Sequence, residues 1–148
     1  MGYYVRITNS NVFIPKVKQE AAYKALCALN TADSLKGGGS YGPPPEGGPS
    51  VCLKRWFSWM DANYPEKCKD LKEVLEEVGF DVELSEAGDI LSLGYDSKTG
   101  DEEHFLNALA PFVANGSFIE WQGEDGEKWR HEFDGHKIRT RTARTVWM

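Results

Sequence analysis

Residues 117–142 read SFIEWQGEDGEKWRHEFDGHKIRTRT. Strand-type patterning begins at Ser117 and is broken twice, at Gly123-Glu-Asp-Gly126 and at Asp134-Gly135. Asp-Gly between alternating apolar residues is a strong short-range hairpin signal, because both residues tolerate the left-handed backbone that a tight turn needs. A two-residue turn there sets Phe133 opposite His136. Trp129, His131, Phe133, His136, Ile138 and Thr140 then share one face, and Lys128, Arg130, Glu132, Lys137, Arg139 and Arg141 share the other. A strand-turn-strand-turn-strand segment of this kind demands a sheet, and the rest of the chain must supply its cover.

Working back, Phe105, Leu109, Phe112 and Val113 recur at helical spacing behind a cap at Asp101, and Asn115-Gly116 closes the helix. Pro111 bends or loosens its last turn. Before it, Phe80, Val82 and Leu84 alternate with Asp81, Glu83 and Ser85. An Ala87-Gly88-Asp89 turn returns the chain through Ile90–Tyr95, a hairpin with an acidic outer face. Asp70 followed by Glu73 has the form of a capping box for a helix bearing Leu71, Val74, Leu75 and Val78, stopped at Gly79. Residues 3–8 alternate as a strand, and Pro15 opens a helix over 16–30 with Ala22, Ala25, Leu26 and Leu29 on one face.

The predicted order is β-α-α-β-β-α-β-β-β. The expected fold class is α+β, a mostly antiparallel sheet with helices packed on one face, and a ferredoxin-like arrangement is one form of it. The 148 residues, 41% of them hydrophobic, fit one domain over 1–148 with a sizeable core. Within it, residues 37–50 hold six glycines and four prolines and are predicted as a flexible loop. Trp56 and Trp59, expected on one helical turn, anchor the chain returning from it or form an aromatic platform.

Net charge is −6, which argues against non-specific nucleic-acid binding by the molecule as a whole. The segment from Lys128 onward nevertheless carries six cations against Glu132 and Asp134. No run of 18 apolar residues exists, and the first residues lack the features of a secretory signal, so a non-membrane, cytoplasmic protein is expected. Cys27, Cys52 and Cys68 are odd in number and spacing, which suits neither a disulfide framework nor a zinc knuckle.

Gly94-Tyr-Asp-Ser-Lys98-Thr99 lacks the glycines that a phosphate loop requires. No nucleophile elbow is present, and no cofactor or metal is called for. His131 and His136, near neighbours in the expected register, would need a third ligand to hold a metal. The remaining constellation is the polar hairpin face, with five cations and one anion, a contact surface for an anionic or acidic partner.

The opening Met1-Gly-Tyr-Tyr-Val-Arg-Ile-Thr8, the Trp56-Phe-Ser-Trp59 cluster, the block Ala110–Arg130 containing Gly-Glu-Asp-Gly, and Val146-Trp147 resemble small uncharacterised proteins of bacteriophages and actinobacterial prophages. The resemblance implies a phage-type accessory protein acting inside a bacterial host; it brings no catalytic residues. Taken with the residues, the expectation is a non-enzymatic binder of a host protein or nucleic-acid-related ligand. Its candidate binding residues are Lys128, Arg130, Lys137, Arg139, Arg141, Trp56 and Trp59. The alternatives are a small enzyme acting on a phosphorylated or nucleotide-like substrate, with His131, His136 and a carboxylate as acid-base groups, and a minor virion or assembly component.

Overall fold

The computed structural model describes residues 3–32, 38–42, 51–57, 59–60, 63–100 and 102–142; for 38–42 and 51–55 only the backbone is described. Its elements run β1 (Tyr4–Asn11), α1 (Lys16–Leu29), β2 (Gly38–Gly42), β3 (Val51–Arg55), α2 (Tyr64–Lys67), α3 (Leu71–Val78), β4 (Asp81–Leu84), β5 (Ile90–Gly94), β6 (Asp96–Lys98), α4 (Glu102–Leu109), a 3-10 turn (Ala110–Phe112), β7 (Phe118–Gly123), β8 (Lys128–Phe133) and β9 (Ile138–Thr142).

The β7-β8-β9 meander forms three strands of a five-stranded sheet of order β6-β1-β7-β8-β9, with the helices on one side. The fold is therefore α+β with an antiparallel sheet. Every described pairing is antiparallel. A ferredoxin-like sheet is antiparallel too, but it interleaves two split βαβ units; here β7, β8 and β9 follow one another as a meander, so that form is not adopted.

Only Tyr95 separates β5 from β6, and the two run on beside β1. The Ile7 amide donates to the Tyr95 carbonyl (2.8 Å) and the Val12 amide to the Leu91 carbonyl (3.1 Å). Between them the Ser10 hydroxyl donates to the Leu93 carbonyl (2.7 Å) and accepts from its amide (3.1 Å). A side chain here replaces a ladder bond, where a bulge in β1 between Ile7 and Asn9 shifts the register. Since β4 pairs with β5, the strands run in effect from β4 at one side to β9 at the other.

The inner face of the sheet presents Val5, Ile119, Trp121 and Phe133 to Leu26 of α1, Val74, Leu75 and Val78 of α3, and Phe105, Leu106 and Leu109 of α4, all buried. Each such side chain contributes roughly 1.5–3 kcal/mol over an exposed position, which is why the amphipathic helices settle on this side. The Asp70 carboxylate accepts from the Glu73 amide (2.9 Å), and the Glu73 carboxylate accepts from the Lys69 amide (2.6 Å), a reciprocal cap on α3. Gly79, at φ 121°, ends that helix, and the Phe80 amide closes back on the Leu75 carbonyl (2.9 Å). Regular α4 stops at Leu109, and the Pro111 turn is the tighter 3-10 form.

Three expectations are corrected. Within the stretch predicted as a loop, Gly38–Gly42 pairs antiparallel with Val51–Arg55. Pairing needs only backbone groups, which glycine keeps, and all four prolines fall between the two strands rather than in them. Trp56, Phe57, Trp59 and Met60 are not in a helix: they lie in bends and a turn, with the Met60 amide bonded to the Phe57 carbonyl (3.2 Å). The β8-β9 hairpin closes at Phe133↔Ile138, not Phe133↔His136, so its turn spans four residues. The remainder of 37–50, the Asp101 cap, Met1-Gly2, Ser58 and residues 143–148 with Arg144, Val146 and Trp147 lie outside the described residues. Among the described residues, no helix is long and apolar enough to cross a membrane.

Candidate functional site: the outer face of the sheet

Alternation along the strands sends one set of side chains away from the helices. On β7 these are Phe118, Glu120 and Gln122; on β8, Lys128, Arg130 and Glu132; on β9, Arg139 and Arg141. The observed register differs from the expected one by two residues, which preserves faces because the side-chain period is two. The predicted basic face therefore exists, with one exception. Lys137 sits in the turn, where its amide and that of His136 donate to the Asp134 carboxylate (2.8 and 2.9 Å).

Register decides which charges meet. Arg130 faces Glu120 on one side and Arg141 on the other. Its Nε and Nη2 donate to Glu120 Oε2 (3.1 and 2.6 Å), and its Nη1 donates to Glu132 Oε2 (3.3 Å). Glu132 Oε1 accepts from Arg141 Nε (2.6 Å). Asn9 Nδ2 donates to Glu120 Oε1 (3.3 Å), so one polar chain crosses from β1 to β9. Arg139 lies 3.6 Å from the Asp134 carboxylate. The Arg130 guanidinium also stands 5.5 Å above the Phe118 ring.

These contacts set the electrostatics. The hydrogen bond from Arg130, with help from Asn9, holds the Glu120 carboxyl below its usual value. Arg141 does the same for Glu132, and the Lys137 and His136 amides for Asp134. The face is thus a lattice of fixed, ionised pairs rather than a field of free cations. Two shallow grooves flank the Arg130-Arg141 pair. One of about 380 Å³ is lined by Thr8, Glu120, Gln122 and Lys128, and the other, of about 440 Å³, by Asn115, Phe118, Glu132 and Arg139.

The histidines do not converge. His131 is buried on the inner face, where its Nδ1 accepts from the Trp121 indole (3.0 Å) and its Nε2 lies 4.0 Å from Glu103. Burial lowers the pKa of this imidazole, opposed by the Glu103 charge. His136 is exposed in the turn, removed from His131 because the four-residue turn moves Thr140 into the position opposite it. Among the described residues, no group of three or more His, Cys, Asp or Glu is placed to hold a metal. Cys27 and Cys68 are free thiols, and burial followed by repulsion from Glu77 and Glu73 pushes Cys68 up to about 11, too high for an activated nucleophile at neutral pH.

The two candidate tryptophans part company. Trp56 is buried, 5.2 Å from Phe105 and 5.5 Å from His104 between ring centroids, and belongs to the core rather than to a platform. Trp59 is 40% exposed, stacked on Phe57 at 4.5 Å, with its indole N–H donating to the Val78 carbonyl (3.0 Å). It lies against the end of α3, and none of the residues lining the two grooves touches it in any described contact. Phe118 and Asn9 are the site residues the sequence analysis passed over, and the alternation of Phe118, Glu120 and Gln122 with Ile119 and Trp121 was the available signal for the first.

No protein-family model, curated protein or solved structure matches this chain.

Proposed function

We propose that this chain is a non-enzymatic, phage-type accessory protein that binds a host protein through the outer face of its sheet, in the host cytoplasm. The observation that carries the binding reading is the Arg130-Arg141 pair, held in place by Glu120 and Glu132 between two grooves on a sheet face that the helices leave open. Arginines already ordered by neighbours lose little side-chain entropy on contact, and arginine is among the residues that dominate protein interfaces. A nucleic-acid partner is less well served. Arg130, Arg139 and Arg141 each have a carboxylate beside them, and a phosphate backbone would meet Glu120, Glu132 and Asp134 as well as the cations. An alternating mosaic of both signs suits a polypeptide surface with the complementary mosaic. The phage context rests on the resemblance of the opening strand, the Trp56-Trp59 cluster and the Gly-Glu-Asp-Gly block.

The test is capture of partners from host lysate by the wild type and by an Arg130→Glu, Arg139→Glu, Arg141→Glu variant, with and without nuclease. The expected result is a protein captured in both nuclease conditions by the wild type and lost in the variant and at raised salt. Capture abolished by nuclease would assign the face to nucleic acid instead, and capture indifferent to the triple reversal would remove the face from the binding site.

A further inference from the structure

We propose that the chain self-associates head to tail, the acidic edge strand β4 of one copy adding to the basic edge strand β9 of the next. Both are edges: among the described residues no strand lies beyond β9 in the five-stranded sheet or beyond β4 in the pair it forms with β5. An unpaired edge is a ready template for another strand, and proteins control it by charge.

The backbone presents matching hydrogen-bonding groups. The Phe133 amide donates to Ser117 and its carbonyl accepts from Gly116, so residue 133 bonds toward β7 and the Asp134 amide donates to Lys137. The antiparallel alternation then turns the N–H and C=O of Ile138, Thr140 and Thr142 away from β8. On the other side, Leu91, Leu93 and Tyr95 bond toward β1, so Ser92 and Gly94 bond toward β4. Their partners there are Glu83 and Asp81, which leaves Val82 bonding outward.

The side chains then select one register. Antiparallel pairing of Val82 with Thr140 brings Asp81 opposite Arg141, Glu83 opposite Arg139, and Leu84 opposite Ile138. Asp81 and Glu83 share the outer face with Ser92, Gly94 and Asp96, and Arg139 and Arg141 occupy that same face at the far edge. On the inner side Leu84, 41% exposed, meets Ile138. Opposite charges directly across two strands are favourable, and two acidic or two basic edges repel each other, so the charges admit β4 onto β9 and oppose β4-β4 and β9-β9 pairing.

Direction agrees as well. With every neighbour antiparallel from β4 through β5-β6, β1, β7 and β8 to β9, the two edges run in opposite senses, so simple translation of one copy beside another places β4 antiparallel to β9. Such a contact is heterologous and propagates into rings or filaments. It rests on the edges and not on the host-binding reading.

The experiment is sedimentation velocity over a range of protein concentrations at low and high salt. It compares the wild type, an Asp81→Arg, Glu83→Arg variant, and an Arg139→Glu, Arg141→Glu variant, with circular dichroism to check that each is folded. The wild type should grow in mass with concentration at low salt and shrink toward the monomer as salt rises; each variant alone should stay monomeric. The two variants mixed should co-assemble, because the native acidic β4 of one meets the native basic β9 of the other, and the reversed β4 and β9 edges are complementary to each other as well. The Asp81→Arg, Glu83→Arg variant keeps all three host-contact arginines, so loss of assembly with retention of host capture separates the two readings. A wild type that is monomeric throughout, association that survives both reversals, or a mixture that remains monomeric would each overturn the proposal.

Discussion

Arg130 and Arg141 stand directly opposite each other across β8 and β9, two like charges in a cross-strand pair. Such a pair is unfavourable by itself. Glu132, bonded to both, and Glu120, bonded to Arg130 through two nitrogens, offset the repulsion and at the same time fix where the guanidinium groups point.

Replacing Glu132 with Gln should therefore lower the melting temperature at low salt, and the deficit should shrink as salt screens the released repulsion. Thermal melts of both proteins at two ionic strengths test this. An equal or larger deficit at high salt would mean that Glu132 acts by packing and not by charge.

His131 makes stability depend on pH. In the unfolded chain a histidine takes up its proton near pH 6.5, whereas in the fold burial delays protonation to lower pH. The contribution of the neutral ring is thus complete above about pH 6.5 and is lost as pH falls from there through the folded value. Protonation also puts a hydrogen on Nδ1, the atom that accepts from Trp121. His131→Phe should flatten the stability curve below pH 6.5 and should cost about 1–3 kcal/mol at pH 7.5 by leaving the buried indole N–H without its acceptor. Urea titrations across that range measure both quantities.

Tyr3 and Asp125 join the opening strand to the β7-β8 turn by a hydrogen bond between hydroxyl and carboxylate. The Tyr3 ring lies across Gly123, where an added Cβ would sit 2.7 and 2.8 Å from ring carbons. Gly123→Ala should destabilise by about 1–3 kcal/mol, as overpacking does. In a Tyr3→Ala background the same change should cost much less. A double-mutant cycle without coupling would show that the clash is relieved elsewhere.

Trp56 and Trp59 should separate in stability. Trp56→Ala removes a fully packed ring and should cost about 3–5 kcal/mol. Trp59→Ala should cost distinctly less, because that ring is partly exposed and gives up mainly its stack on Phe57 and one hydrogen bond. Chemical denaturation of the two variants decides it, and a comparable loss in both would make Trp59 part of the core.

Much of the architecture was legible in the chain alone because it depends on local rules. The Asp70-Glu73 cap, the Gly79 stop, the acidic β4-β5 hairpin and the loosened turn at Pro111 each follow from residues within a few positions of one another. The division of 128–141 into an apolar and a basic face survived an error of two residues in register, since a shift of two returns every side chain to its own side. Distance along the chain decided the rest. Whether Arg130 is a free cation or a paired one depends on Glu120, ten positions earlier on β7. The fate of His131 depends on Trp121 and on Glu103 of α4. Trp56 became core because Phe105 and His104 arrived beside it. The antiparallel placing of β1 against β7, and with it the separation of an acidic edge from a basic one, required the whole sheet to close. Patterning specifies which face of an element is apolar, but only packing against distant elements determines which polar groups share that face and which charges are left to meet a partner.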